Sequence, residues 1–350
     1  MSYSNRVEEL FTEGLEKKIY SAGAIVVGKG DQVLYSKAGG TVSYEPEADK
    51  VTLDTSFDMA SCSKVVGTTF VAFHMLDQGM LCLDDTLGEL LDNVPEDKKR
   101  ITIRNLMTHT SGIPAEIWLW KEAESPEKSL DCILNTPLVY PTGTDVQYSC
   151  MGFITLGKVM EKISGKDLHT MAREWTFEPL GMWNTEYRGT DSSKPDTSIA
   201  YTELHTNFYE GVPGIVHDEN ARYLGGISGN AGLFSTANDL TKFCVMMAKK
   251  GEPIVSHRLF ELASKNYTPG LSENRGLGFQ LSGPTPTFFG DLFGNTGIGH
   301  TGYTGTSIAV DPESGLFVVY LTNRVYPTRD EGRLTRLRHQ IHNAAVSTFL

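Results

Sequence analysis

Among the side chains able to do covalent chemistry, Ser61 and Lys64 in Met59-Ala60-Ser61-Cys62-Ser63-Lys64 stand three apart, just ahead of the apolar run Val65–Leu76. On a helix that spacing puts both on one face, a turn apart. A serine hydroxyl becomes a useful nucleophile only when a neighbouring base takes its proton. An amine can do this only with its pKa depressed, by burial or by another cation. The pair therefore predicts a buried lysine of lowered pKa, helped by a helix-terminus field of about 0.3–1 kcal/mol. The same spacing also occurs at ordinary helix starts, where the serine caps and the lysine is solvated.

Two further segments add weight. Pro141-Thr142-Gly143-Thr144-Asp145-Val146-Gln147-Tyr148-Ser149-Cys150 brings a tyrosine just ahead of a helical pattern over Gly152–Ile163. Gly299-His300-Thr301-Gly302-Tyr303-Thr304-Gly305-Thr306 enters a C-terminal strand, with glycines that allow another backbone to come close. Such a strand edge can offer an N–H to a substrate oxyanion.

These groups need a scaffold that joins distant parts of the chain. Residues 5–19 place Val7, Leu10, Phe11, Leu15 and Ile19 on one helical face. Ala24–Val27 and Val33–Tyr35 flank Lys29-Gly30-Asp31 as a hairpin. The C-terminal end mirrors this arrangement. Thr306–Val310 and Leu316–Leu321 flank Asp311–Gly315, and a helix follows with Leu334, Leu337, Ile341 and Val346 in phase. Between the ends the strong patterns are helical: Val65–Leu76, Gly152–Ile163 and Ala237–Met247. The expected fold is α+β, an α/β sandwich. Its central antiparallel sheet comes from both chain ends, flanked by terminal helices and carrying an inserted, mainly helical domain. Residues 1–62 and 236–350 form the sheet domain, residues 63–235 the helical one, and the active site lies in the cleft between them.

The order and spacing of the three segments resemble the serine β-lactamase and penicillin-binding-protein superfamily, in its class C-like branch. The pattern there is Ser-x-x-Lys, Tyr-x-Asn, then Lys-Thr-Gly or His-x-Gly. Arg104–Pro114, Gly232–Ala237 and Leu321–Arg324 extend the likeness over nearly the whole chain. The resemblance implies a β-lactamase/transpeptidase-like fold and acyl transfer through a covalent intermediate. In that reading Ser61 is the acylated nucleophile. Lys64 accepts its proton or holds Tyr148 in a basic state, and Tyr148 passes a proton to the leaving group and later activates water. The N–H groups of Ser61 and Tyr303 form the oxyanion hole, beside His300 and Gly302.

Two positions depart from the pattern. Cys150 stands where relatives keep an asparagine that binds the substrate amide and the lysine, and a thiol is a weak donor and acceptor. His300 stands in place of a lysine and carries no permanent charge when neutral. Both point toward a carboxylesterase acting on small uncharged esters. The alternatives are a D-amino-acid peptidase or amidase, a DD-carboxypeptidase, a weak class C-type β-lactamase, or a catalytically degenerate ligand-binding protein. Specificity is expected to reside in loops such as 113–130 and 195–225, with Trp118 and Trp120 at the cleft mouth or packed as ordinary core.

Other chemistry finds less support. Gly226-Ile227-Ser228-Gly229-Asn230 lacks the final glycine of a nucleophile elbow. His339 and His342 lack a carboxylate partner and are expected at the surface, while His109 and His217 are expected to be structural. No cofactor-binding or metal-binding pattern stands out. The net charge of -12 over 350 residues argues against nucleic acid or an anionic membrane as a partner. A small-molecule ester or amide is the partner expected. Five cysteines without CxxC spacing, and an N-terminus without an apolar leader pattern, suggest a reducing cytoplasm.

Overall fold

The computed structural model describes residues 4–190, 198–205, 211–283 and 287–350, with side chains from Arg6 onward; parts of the 195–225 loop lie outside the described residues. Nine strands are present among them: β1 (Ala22–Lys29), β2 (Gln32–Gly40), β3 (Phe57–Asp58), β4 (Glu186–Tyr187), β5 (Leu233–Ser235), β6 (Gln280–Leu281), β7 (Ile298–Thr301), β8 (Ser307–Val310) and β9 (Leu316–Thr322). Six form an antiparallel sheet in the order β2-β1-β9-β8-β7-β6. The chain ends therefore meet in its middle, where β1 pairs with β9 from Gly23 opposite Thr322 to Lys29 opposite Leu316.

Strand period explains why this centre is apolar on both faces. Ile25, Val27, Val318 and Tyr320 point to one side, where the terminal helices Ser4–Glu16 and Leu334–Phe349 cover them with Val7, Leu10, Phe11, Leu337 and Ile341. Ala24, Val26, Val319 and Leu321 belong to the larger core on the other side, with Leu240, Phe243 and Met247 of the helix Ala237–Ala248. The first helix stops at Glu16, shorter than its apolar pattern, because Lys18 turns left-handed (φ 52°); Ile19 is buried all the same.

The middle of the chain is helical, as its patterns suggest, with Cys150–Ser164 the longest helix there. A second sheet that the sequence does not reveal, in the order β3-β5-β4, ties this middle part to the segment ahead of Ser61. Strands of two or three residues are too short to display a period. This small sheet matters because β3 runs directly into Ser61, and Met59 N donates to Leu233 O of β5 at 2.9 Å. No helix among the described residues is long and apolar enough to cross a membrane.

Candidate active site

Ser61 sits in the single tight turn Ala60–Cys62 that follows β3. Ala60 adopts φ 44°, a left-handed conformation that a residue with a Cβ enters only when its surroundings hold it there. Asp58 is the holder. This buried carboxylate accepts Ala60 N–H at 2.8 Å on one oxygen and His217 N–H at 2.7 Å on the other. Thr304 and Thr306 clamp the same turn from the β7–β8 connection, donating to Asp58 O at 2.7 Å and Met59 O at 3.1 Å. Gly302 completes the clamp, since a Cβ there would lie 2.4 Å from Met59 O. The first and third chemical segments are thus in backbone contact.

The chain after Ser63 winds as a wide π-type turn over Lys64–Thr69 before becoming α-helical at Phe70. Lys64 is fully buried. Its Nζ donates to Ser61 Oγ at 3.1 Å, to Asn230 O at 2.9 Å and to Cys150 Sγ at 3.5 Å. Three acceptors for three N–H bonds describe an ammonium. The lysine pKa is accordingly raised, not lowered as the sequence led us to expect. Burial acts to lower it, but the three acceptors around Nζ and the nearby Asp218 carboxylate favour the charged form and outweigh burial. Asn230 is a site residue that sequence reasoning missed, because a backbone carbonyl has no motif. Its side chain donates to Asp218 Oδ1 at 3.1 Å.

Tyr148 lies over the same lysine, with Lys64 Nζ 4.8 Å from its ring centroid. The phenol oxygen is enclosed without a hydrogen-bond partner of good geometry. Burial pushes its pKa up to about 12, while the Lys64 charge works in the opposite direction. Cys150 is buried and its thiol is likewise pushed up to about 11, chiefly by burial, so it rests as the thiol. His109 packs against Tyr148 at 4.8 Å between centroids and accepts Ser149 N–H on Nδ1 at 3.1 Å, a structural role.

His300 is also buried, 5.7 Å from Tyr148 between ring centroids. Its Nδ1 donates to Thr301 O at 2.8 Å, because a carbonyl can only accept. Nε2 is left as an acceptor with no partner. Burial, then Arg275 and Lys64, hold its pKa down at about 3, so the ring is neutral. Its one N–H is spent on the backbone and is not free for a substrate.

Ser61, Tyr148 and Tyr303 line both of two adjoining cavities, of about 440 and 590 Å3. The first is bounded by His300, Thr301 and Gly302 and holds three arginines and two glutamates. The second is bounded by Cys150, Trp118 and Trp120 and holds four carboxylates against Lys121 and Arg329. Both tryptophans therefore do face the cleft. They stack at 6.0 Å with Lys121 Nζ 3.9 Å above Trp118. His217 is bound to Glu203 at 3.0 Å and stacks on Tyr303 at 6.0 Å, while Arg324 covers that ring at 4.5 Å. His342, expected at the surface, is instead fully buried among Phe288 and Phe293, because the last helix turns this position toward the sheet. His339 is partly exposed.

A family model described as Beta-lactamase matches residues 7–343. An Escherichia coli (strain K12) protein named "Putative D-alanyl-D-alanine carboxypeptidase" is 31% identical over 343 residues, covering 87% of this chain and 79% of that protein. The Bacillus subtilis (strain 168) "N-acetylmuramyl-L-alanine amidase" is 27% identical over 358 residues, covering 91% and 80%. Among solved structures, "EstCE1, a hydrolase with promiscuous acyltransferase activity" superposes with a TM-score of 0.79 at 24% identity, covering 98% of each chain.

Proposed function

The chain belongs to the beta-lactamase family, and on that premise we propose that it is a serine hydrolase working through an acyl-enzyme at Ser61, with esters as its preferred substrates. The observation that carries this reading is the contact between Lys64 Nζ and Ser61 Oγ at the point where two cavities meet. Ser61 Oγ attacks the acyl carbon, and its proton passes to Tyr148 Oη in concert with departure of the phenol's own proton. Tyr148 releases its own proton to the departing alkoxide, so the relay ends with no net change on the phenol. Lys64 stays an ammonium and stabilises the negative charge that passes over Oγ and Oη. The N–H groups of Ser61 and Tyr303 receive the carbonyl oxygen. Water then repeats the sequence in reverse to release the acid. The seam lies between residues 1–62 with 236–350 and the helical segment 63–235.

Cys150 is what favours esters. An amide substrate asks this position for a strong acceptor or donor, and a neutral thiol at 3.5 Å from Lys64 is neither. An ester has no N–H to satisfy. A peptidase or amidase remains the second reading, favoured by the names of the two curated relatives.

A fluorophosphonate probe should label the protein once, and Ser61→Ala should abolish labelling. Folded protein that resists the probe would indicate a ligand-binding member without turnover. Labelling that survives Ser61→Ala would move the nucleophile elsewhere. Short-chain p-nitrophenyl esters should be hydrolysed, with little turnover of a chromogenic cephalosporin; the reverse order would replace the ester assignment.

A further inference from the structure

The turn that carries Ser61 rests on a buried charge. Asp58 is 2% exposed, and a carboxylate is costly to bury unless its oxygens are used. Each of them accepts one backbone N–H, from Ala60 at 2.8 Å and from His217 at 2.7 Å. An amide in this place could accept only one of the two, because its N–H2 would face the other donor. The geometry therefore calls for a carboxylate, and its two donors lead to the two sides of the oxyanion hole. On one side Ala60 stands at φ 44°, and the Ala60–Ser61 peptide carries the Ser61 N–H. A residue with a Cβ leaves that conformation readily once nothing holds it. On the other side the His217 ring stacks on Tyr303 at 6.0 Å between centroids. Asp58 also reaches the Tyr303 backbone, since its carbonyl accepts from Thr304 Oγ1 at 2.7 Å. The Tyr303 N–H lies between those of Gly302 and Gly305, which are used within the turn, donating to Thr306 O at 2.8 Å and Gly302 O at 3.0 Å.

We propose that Asp58 is a positioning residue, which holds the N–H groups of Ser61 and Tyr303 at one spacing so that both reach the same oxyanion. This rests on the acyl-transfer reading of Ser61. Asp58 lines neither cavity, so it acts on the two peptides and not on the substrate. Its effect belongs to the tetrahedral species, where charge gathers on the oxygen, and not to the bound ester.

The test is a cycle of Asp58→Asn and Ala60→Gly. It is read with 4-nitrophenyl acetate and with phenylboronic acid, whose adduct on a serine hydroxyl is tetrahedral and anionic. Each variant is assayed where far-UV circular dichroism shows it folded. Asp58→Asn should lower kcat by about 10²-fold, the scale of one lost oxyanion donor, with KM changed by less than about threefold. Affinity for phenylboronic acid should fall in parallel. Glycine enters the left-handed region freely. In the Ala60→Gly background the loss caused by Asp58→Asn should therefore shrink by about tenfold, the equivalent of the left-handed penalty on a Cβ. Thr304→Val cuts the second link alone and should lower kcat and boronate affinity by about fivefold each, the scale of one hydrogen bond. A folded Asp58→Asn variant with kcat within about threefold of the unmodified protein would overturn the proposal. So would a loss carried by KM with boronate affinity intact, or no recovery in the Ala60→Gly background. If Asp58→Asn does not fold, unchanged kcat in Thr304→Val overturns it. An unmodified protein that neither hydrolyses the ester nor takes up a fluorophosphonate at Ser61 would sink the acyl-transfer reading and the proposal together. A reactive Ser61 indifferent to Asp58→Asn sinks the proposal alone.

Discussion

The two cavities that share Ser61 differ in charge and in how that charge is held. On the His300 side, Arg275 and Arg338 are buried and each retains an enclosed N–H without a partner. On the Cys150 side the carboxylates are in excess, but most of them are tied to named partners. Glu203 takes both His217 and Arg329, Glu219 takes Arg329 at 2.8 Å, and Asn220 donates to Glu116. Buried cations with unmade hydrogen bonds are costly, whereas a linked ion network mainly holds a shape. Here the network shapes the wall beside Tyr303, whose ring it pins between His217 and the arginines 324 and 329. One side of the cleft thus keeps buried cationic N–H groups without partners, while the other links most of its charges in a network.

Removing what the two sides share should have the largest effect. Tyr148→Phe keeps the ring that both cavities touch and deletes the proton carrier. It should lower kcat for esters by roughly 10²–10⁴-fold, with KM little changed. A loss below about threefold would show that the proton takes another route.

Cys150→Asn bears on the Cys150 side alone. The amide oxygen would give Lys64 a strong acceptor and leave an N–H2 for a substrate carbonyl. Cephalosporin acylation should rise about tenfold relative to ester hydrolysis, from one additional charge-assisted contact. An unchanged ratio would mean that loops, and not this position, separate the substrates.

The comparison also has a pH signature. Glu116 titrates at about 7, raised by burial and then by Asp218, with Lys64 and the Asn220 amide opposing. His300 is neutral down to about 3. Between pH 6 and 8 the Cys150 side should therefore gain negative charge while the His300 side does not change. Esters with an ammonium on the acyl chain should improve by about threefold over neutral ones across that range. Glu116→Gln should flatten the profile, and an inflection that survives would assign it to another group.

The smallest effect on activity is expected away from both cavities. His342 is buried with its pKa lowered to about 3 from 6.5, by burial and then by Arg338. Its folded pKa lies below its unfolded one, so its contribution to stability is complete above pH 6.5. That contribution is lost as pH falls toward 3, because only the unfolded chain takes up the proton. His342→Leu should leave ester turnover unchanged and flatten the fall of unfolding free energy between pH 6 and 4. One group contributes up to about 1.4 kcal/mol per pH unit. Urea denaturation at several pH values reads this directly, and an unaltered slope would place the acid sensitivity elsewhere.

Much of the site was legible before any coordinates. Local order alone brought Ser61 and Lys64 together a turn apart, although the turns there are tight and then wide and not α-helical. The period-two runs at both chain ends determined that those ends pair into one sheet, because burying alternate residues leaves few other partners. The three motifs themselves, read as a resemblance, pointed to the family. Tertiary structure decided the rest, for reasons that no spacing encodes. The charge of Lys64 is set by the Asn230 carbonyl and the Cys150 sulfur, which lie 166 and 86 residues away in the chain. The turn at Ala60 is held by a carboxylate that also binds His217 N–H, 159 residues on. Arg275, in no motif and beside a two-residue strand, enters the cleft because the β6–β7 pairing carries its segment to the edge of the sheet, and its enclosed N–H groups are a property of that cavity alone. A sequence specifies which groups exist and which neighbours they have along the chain; burial, and with it the protonation state and the free valence of each group, comes from contacts that only the folded chain brings together.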